Sequence, residues 1–364
     1  LKYFILAGEA SGDKQAALLC QALMSHDPAA SIIGWGGEAM SATGARITKH
    51  YHELAFMGFV EVVKHLPAIM RNFSTAKKEI LEWQPDALIL VDYPGFNLRM
   101  AKWALKHKIK VYYYISPQLW AWHTSRVNTI RKAIRRMFVI LPFEPDFYKQ
   151  FGMDVTYIGH PLAMEVAKDT SYHYEPEKGR IALLPGSRRH EVDRILPEMA
   201  RLIEHLPLLS FTIVAVPHLP ISLYDQWVGH LPNAEVMIGN MKQVLSRSEA
   251  AIVTSGTATL ETALLGVPQI VVYKGTRVSY LIAKQLIKVK YISLVNLIAD
   301  QPLVPELIQE ECNSIQMQRH LEILLTTGNA DVIRSRYKDI SNLLLSGGGA
   351  DTAAKEIIAD LGLN

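Results

Sequence analysis

Short apolar runs of strand length alternate with helix-length segments along most of this chain, and that alternation restricts its fold more than any other feature. The runs fall at residues 3–6, 31–35, 87–91, 110–115, 138–141 and 155–158. After a polar, weakly periodic stretch at 163–178 they resume at 181–184, 211–215, 235–238, 250–253 and 269–272. Strand–helix alternation gives parallel sheets joined by right-handed crossovers. Two such sets separated by a linker predict an α/β protein of two doubly wound parallel-sheet domains facing a cleft. A length of 364 residues is that of two ordinary domains, and a hydrophobic content of 49% is ample for two cores. The expected bounds are 1–165 and 166–330, with helices over 331–364 packing back on the first domain. Neither a short-period repeat nor a low-complexity tract interrupts the pattern.

Composition narrows the chemistry. A formal charge of +3 gives no bulk argument for nucleic acid. Two distant cysteines, Cys20 and Cys312, fit a reduced compartment and exclude a disulfide framework or a Cys-x-x-Cys metal site. No HExxH occurs, and no pair of aspartates two apart, which weakens a metal-dependent nucleotide-sugar transferase. The first residues read as a strand entering a glycine turn, not as a signal peptide. No uninterrupted apolar run reaches about 18 residues, so no transmembrane helix is expected.

Four corners follow predicted strands, where open α/β sheets bind ligands. In Leu183-Leu184-Pro185-Gly186-Ser187-Arg188-Arg189-His190-Glu191 a strand turns at Pro185-Gly186 and opens a helix over 189–205. Unpaired N–H groups and the positive end of the dipole favour anions there, and the Arg188 fork matches phosphate. The pattern is neither a Walker loop nor Gly-x-Gly-x-x-Gly, and an ordinary corner with a solvated arginine is the competing reading. Thr254-Ser255-Gly256-Thr257-Ala258-Thr259-Leu260-Glu261 is a second such corner, with Glu261 one turn on, where a carboxylate can accept from a ribose. Together these two favour a diphosphate and ribose over two merely capped helices. Ala7-Gly8-Glu9-Ala10-Ser11-Gly12-Asp13 carries acids that repel a diphosphate and suit a sugar hydroxyl, unless Ser11 or Asp13 only caps the helix. Asp92, at a strand's carboxyl end, suits a general base, or else only fixes its turn.

Three stretches suggest a surface. Phe59, Val62, Val63, Leu66, Ile69, Met70 and Phe73 follow helical spacing, with Pro67 expected to break the helix or start a second one. The stripe reads as core, or as a greasy face rimmed by Lys64, Arg71, Lys77 and Lys78 that receives lipid. Trp120 and Trp122 precede Arg126, Arg131, Lys132, Arg135 and Arg136, a solvated face or a seat for an anionic headgroup. Residues 274–290 form an amphipathic basic stretch, a candidate for a membrane surface.

The glycine corners, together with Met57-Gly58 and Val60-Glu61-Val62, Ser116-Pro117 with Trp120-Ala121-Trp122, Leu141-Pro142-Phe143-Glu144, Ile158-Gly159-His160 and residues 291–297, stand in a specific order over about residues 5–312. In this the chain resembles the bacterial lipid-A-disaccharide synthase family, glycosyltransferases of GT-B type with two Rossmann-like domains. It departs in having Gly95 where some relatives carry a second acid, which leaves Asp92. The resemblance implies transfer of 2,3-diacylglucosamine from UDP-2,3-diacylglucosamine to 2,3-diacylglucosamine 1-phosphate, with inversion, no cofactor and no metal. It implies that Gly186, Ser187, Arg188, Ser255, Gly256 and Thr257 hold the diphosphate and Glu261 the ribose, with Asn296 and Glu306 nearer the uridine or donor sugar. Asp92 becomes the favoured base, with Glu9, Asp13 and His160 as rivals. The acceptor and its acyl chains fall to Ser11, Gly12, Met57, Gly58, Phe59, Val62, Val63, Leu66 and Trp120. The expected location is the cytoplasmic face of the inner membrane, in peripheral contact with its lipid, without nucleic acid. The C-terminal helices pack on their own first domain or exchange within a homodimer; the sequence leaves both open. A non-hydrolysing UDP-GlcNAc 2-epimerase and a non-catalytic lipid- or nucleotide-binding protein are the rival readings.

Overall fold

In the computed structural model, which describes residues 1–54, 66–120, 126–276, 290–326 and 328–362, the alternating runs form two parallel sheets. The first contains β1 (Lys2–Ala7), β2 (Ser31–Gly36), β3 (Arg46–His50), β4 (Ala87–Val91), β5 (Val111–Tyr114), β6 (Arg136–Val139) and β7 (Thr156–Tyr157). Its order is β3-β2-β1-β4-β5-β6-β7. The second contains β8 (Glu177–Leu184), β9 (Ser210–Ala215), β10 (Ala234–Ile238), β11 (Ser248–Thr254), β12 (Gln269–Tyr273) and β13 (Glu306–Ile308), in the order β10-β9-β8-β11-β12-β13.

Helices cover both faces of each sheet, so the central strands carry apolar side chains on every residue. In β4, Leu88 and Leu90 join Phe4 and Leu6 in one layer, while Ala87, Ile89 and Val91 join Tyr3 and Ile5 in the other. The second sheet alternates likewise, with Leu183 and Ile252 on one face and Leu184 and Val253 on the other. Ile89 and Leu90 are fully buried, and each such side chain stabilises the fold by roughly 1.5–3 kcal/mol.

The chain divides into two compact units, Leu1–Pro161 with Leu344–Asn364, and Leu162–Leu343. The polar stretch expected to be a linker instead begins with a helix, Pro161–Lys168, and ends in β8. Unit 1 is closed by the helix Gly349–Leu361, which buries Ala353, Ala354, Ile357 and Ile358 in the layer that also holds Ala16 and Cys20 of the helix Ala10–His26. Arg135 pairs with Asp360, and Arg136 with Glu356 at 3.2 Å. These two cations, considered for an anionic headgroup, thus bind the closing helix. Pro67 lies in the first turn of the helix Leu66–Trp83, where its missing N–H has no partner to lose. Met57, Gly58, Phe59, Val62, Val63, the Leu66 side chain, Trp122 and most of the 274–290 stretch lie outside the described residues.

Candidate active site

Each sheet changes winding direction beside its first strand, and such switch points bind ligands at the strands' carboxyl ends. In unit 1 the switch lies between β1 and β4, where Ala7 pairs with Val91. The turns that follow bring Gly8-Glu9 and Asp92-Tyr93 to one edge. In unit 2 it lies between β8 and β11, where Leu184 pairs with Val253. Gly186-Ser187-Arg188 and Ser255-Gly256-Thr257 therefore share the second edge.

At the first edge the backbone is held in a rare conformation. Asp92 and Tyr93 both adopt the left-handed region, with φ of 44° and 46°. Each such non-glycine residue costs about 1–3 kcal/mol, so the surroundings must enforce it. The Asp92 N–H donates to the Tyr114 carbonyl at 3.1 Å. The Asp92 carbonyl accepts from Tyr113 Oη at 2.6 Å and Asn97 Nδ2 at 2.8 Å. The Tyr93 ring lies over Gly8, where a Cβ would stand 2.4 Å from Cδ1, so only glycine fits there. Burial pushes the Asp92 carboxyl up to about 6, and the charge of Glu9 adds to the rise. A carboxylate raised this far is a stronger base than an ordinary one and is still ionised at pH 7.

The rivals of Asp92 have different surroundings. Asp13 is 3% exposed, and its carboxylate accepts from the N–H groups of Gly37 (2.7 Å), Ala39 (3.0 Å) and Met40 (3.2 Å). It thereby caps the short helix Glu38–Ser41 and not its own helix. Glu9 stands at the start of the helix Ala10–His26 without capping it through its side chain. His160 is buried, which lowers its imidazole to about 4, and its backbone N–H donates to the Leu344 carbonyl at 2.8 Å. Ser11 is exposed and Gly12 buried in the first turn of that helix. The Trp120 ring meets Phe143 edge-on at 5.0 Å. Nearby, Glu144 is 1% exposed and accepts from Ser116 Oγ (2.6 Å) and the N–H groups of Ile140 (3.0 Å) and Leu141 (2.8 Å). Burial pushes its carboxyl up to about 7. It belongs to a quoted motif, yet nothing in the sequence gave it a role.

The second edge opens into a cavity of about 400 Å³ lined by Gly186, Ser187, Arg188, Ser255, Thr257 and Glu261 among others. The Arg188 side chain is 73% exposed and carries its charge there. Ser255 N–H continues the sheet to the Val272 carbonyl at 2.8 Å, and its Oγ donates to the Ile292 carbonyl at 3.1 Å. Glu261 is partly buried, which raises its carboxyl, and Lys242 partly offsets that rise. Glu261 also lines a second cavity of about 550 Å³ with Tyr172, Asn240 and Lys242.

The helix Arg189–His205 is capped by Glu191: its carboxylate accepts from the N–H groups of Ser187 (2.9 Å) and Arg188 (3.1 Å). An acid at the third helical position is a capping signal legible in the sequence. Asn296 and Glu306, expected nearer the uridine or donor sugar, do not line the 400 Å³ cavity that holds the two corners. Asn296, 1% exposed, donates to the Val304 carbonyl and Glu306 at 2.9 Å each and accepts from Val304 N–H at 2.9 Å. Glu306 accepts from Ile292 N–H, Ser293 N–H and Ser293 Oγ. Both side chains hold the loop whose Ile292 carbonyl seats Ser255.

The family model described as lipid-A-disaccharide synthetase matches residues 3–352. A lipid-A-disaccharide synthase of Trichlorobacter lovleyi is 40% identical, over 96% of this chain and 94% of that protein. One of Syntrophus aciditrophicus is 38% identical over 93% and 91%. Among solved structures, the glycotransferase of kitacinnamycin superposes with a TM-score of 0.68 at 14% identity, covering 99% of each chain. The UDP-GlcNAc 2-epimerase of Methanocaldococcus jannaschii gives 0.63 at 12%, covering 99% and 100%. These last two share the GT-B fold with this chain.

Proposed function

From the premise that this chain belongs to the lipid-A-disaccharide synthase family, we propose that it moves 2,3-diacylglucosamine from UDP-2,3-diacylglucosamine onto the 6-hydroxyl of 2,3-diacylglucosamine 1-phosphate. The products are UDP and a β-1′,6-linked disaccharide 1-phosphate. Membership makes it a hexosyltransferase of lipid A synthesis; the substrates, the inversion and the residue roles are our reading. The observation that carries it is the pairing of an acidic switch point in unit 1 with a cationic, cavity-forming switch point in unit 2.

Asp92 takes the proton of the acceptor hydroxyl as its oxygen attacks the donor's anomeric carbon. The carbon–oxygen bond to UDP breaks on the opposite face, which inverts the centre. Arg188 neutralises the charge growing on the departing diphosphate, with the Ser255-Gly256-Thr257 corner as the second wall. Glu261 accepts from the ribose hydroxyls. The Met57 to Leu66 stretch contacts acyl chains, and the enzyme rests on the membrane surface that supplies both substrates. Among the described residues no helix is long and apolar enough to cross a membrane.

The test combines purified protein, UDP-2,3-diacylglucosamine and radiolabelled 2,3-diacylglucosamine 1-phosphate in mild detergent with EDTA. Labelled disaccharide is the expected product. Product only after magnesium is restored would remove Arg188 as the charge-neutralising group. Turnover of UDP-GlcNAc without acceptor, and no disaccharide, would replace this reading by the epimerase one.

A further inference from the structure

The diphosphate cavity already contains an anion of its own. Glu191 reaches back over the turn, and its Oε2 accepts from Ser187 and Arg188 N–H, the two donors that a strand–turn–helix corner offers to phosphate. Its Oε1 lies 3.8 Å from Arg188 Nη1. The fit is close: Gly186 sits at φ +126°, and a Cβ there would stand 2.5 Å from Glu191 Cβ and 2.6 Å from Oε2. On the opposite wall Thr254, 6% exposed, lines the same cavity with a buried Oγ1 that has no hydrogen-bond partner. The cavity thus combines a donor pair taken by an internal carboxylate with a buried hydroxyl free to meet an entering polar group.

We propose that Glu191 is an internal competitor that tunes the affinity of the nucleotide site: its carboxylate competes with the donor's diphosphate for the Ser187 and Arg188 N–H groups. This rests on the reading that a UDP-sugar binds in unit 2. A diphosphate entering the cavity displaces Glu191, takes its two donors and frees Arg188 from its acidic neighbour. When UDP is the bound species, return of the carboxylate helps to expel it. Glu191 therefore lowers the affinity of a phosphate-bearing nucleotide, most for the diphosphate, and leaves that of a nucleoside unchanged.

Calorimetric titration of the full chain with UDP, UMP and uridine tests this, in wild type, Glu191→Gln and Glu191→Ala. Gln keeps an acceptor for the cap and removes the charge. UDP is expected to bind about tenfold tighter to Glu191→Gln, the factor by which a seat open one time in ten lowers apparent affinity. Uridine affinity should stay unchanged and UMP should fall between. Glu191→Ala, if folded by its melting curve, should match or exceed that gain. Unchanged or weaker UDP binding in Glu191→Gln would overturn the proposal and leave Glu191 as a cap alone. Equal shifts for UDP and uridine would also overturn it, as a structural effect. Wild-type protein that binds neither would instead remove the nucleotide reading beneath it.

Discussion

The two sheets share a strand order, and at the same place in that order they carry opposite chemistry. After β1 and β4 come Glu9, on extended backbone, and Asp92, on left-handed backbone with its carboxyl raised to about 6. After β8 and β11 come helix starts, an exposed arginine and a cavity of about 400 Å³. The fold fixes where a ligand meets each unit, and the turn residues fix what it meets. In the proposed reaction the acidic edge handles a proton and the cationic edge a diphosphate, so the transfer needs both units.

The sharpest way to break this comparison is at Asp92. Asp92→Asn should lower kcat about 10²- to 10⁴-fold with both substrates saturating and leave UDP affinity unchanged. Near-normal turnover would show that the acidic edge accepts no proton. In wild type a base must be ionised, so kcat/KM should fall as pH drops through about 6.

Arg188→Ala should reduce kcat roughly 100- to 1000-fold by steady-state assay, as for loss of one preorganised charge donor. The acid limb of its pH profile should stay at the wild-type position, because Arg188 belongs to the other edge. A shifted limb would mean that the two edges do not act separately.

The same Asp92 substitution should stabilise unit 1. A carboxyl raised from about 3.8 to about 6 keeps its proton in the folded state where the unfolded chain has lost it, so stability declines as pH rises through that window. At pH 7 the ionised group costs up to roughly 3 kcal/mol, at about 1.4 kcal/mol per unit. Asp92→Asn should therefore melt higher than wild type at pH 7, with the gap closing towards pH 4. A lower melting point at pH 7 would mean that the carboxylate supports the turn it sits in.

The smallest effect belongs to Glu261. Glu261→Gln should raise KM for the UDP donor about fivefold, near 1 kcal/mol, with kcat nearly unchanged, the signature of lost uniform binding. A fall in kcat with KM constant would move Glu261 from holding the ribose to the reaction itself.

Much of this was legible in the sequence because parallel strands buried on both faces read as apolar runs; β4, Ala-Leu-Ile-Leu-Val, is the plainest case. The edge strands β3, Arg-Ile-Thr-Lys-His, and β13, Glu-Leu-Ile, carry no such signal and were missed. Position after a strand brought Gly8 and Asp92 to one sheet edge and Arg188 and Ser255 to the other, since that depends on order alone. The partners of a carboxylate depend on tertiary distance. Asp13 accepts from N–H groups 24 to 27 residues away, and Glu306 from a turn 13 to 14 residues back. Neither spacing belongs to a local motif. Glu191 was within reach of local reasoning, since its spacing from the helix start is that of a reciprocal cap.

The closing helix Gly349–Leu361 has a consequence for synthesis. Unit 1 is interrupted at Pro161 and resumes at Leu344, so the apolar layer of the helix Ala10–His26 is finished by residues about 190 positions beyond that interruption. At about 5–20 residues per second the ribosome takes roughly 10–40 s to cover that distance. During that time unit 2 can complete its sheet while unit 1 waits with Ala16, Ala17 and Cys20 uncovered. The first half of the chain to emerge is thus the second to be finished, and the nascent protein needs shielding on one defined helix face until Ile357 and Ile358 arrive.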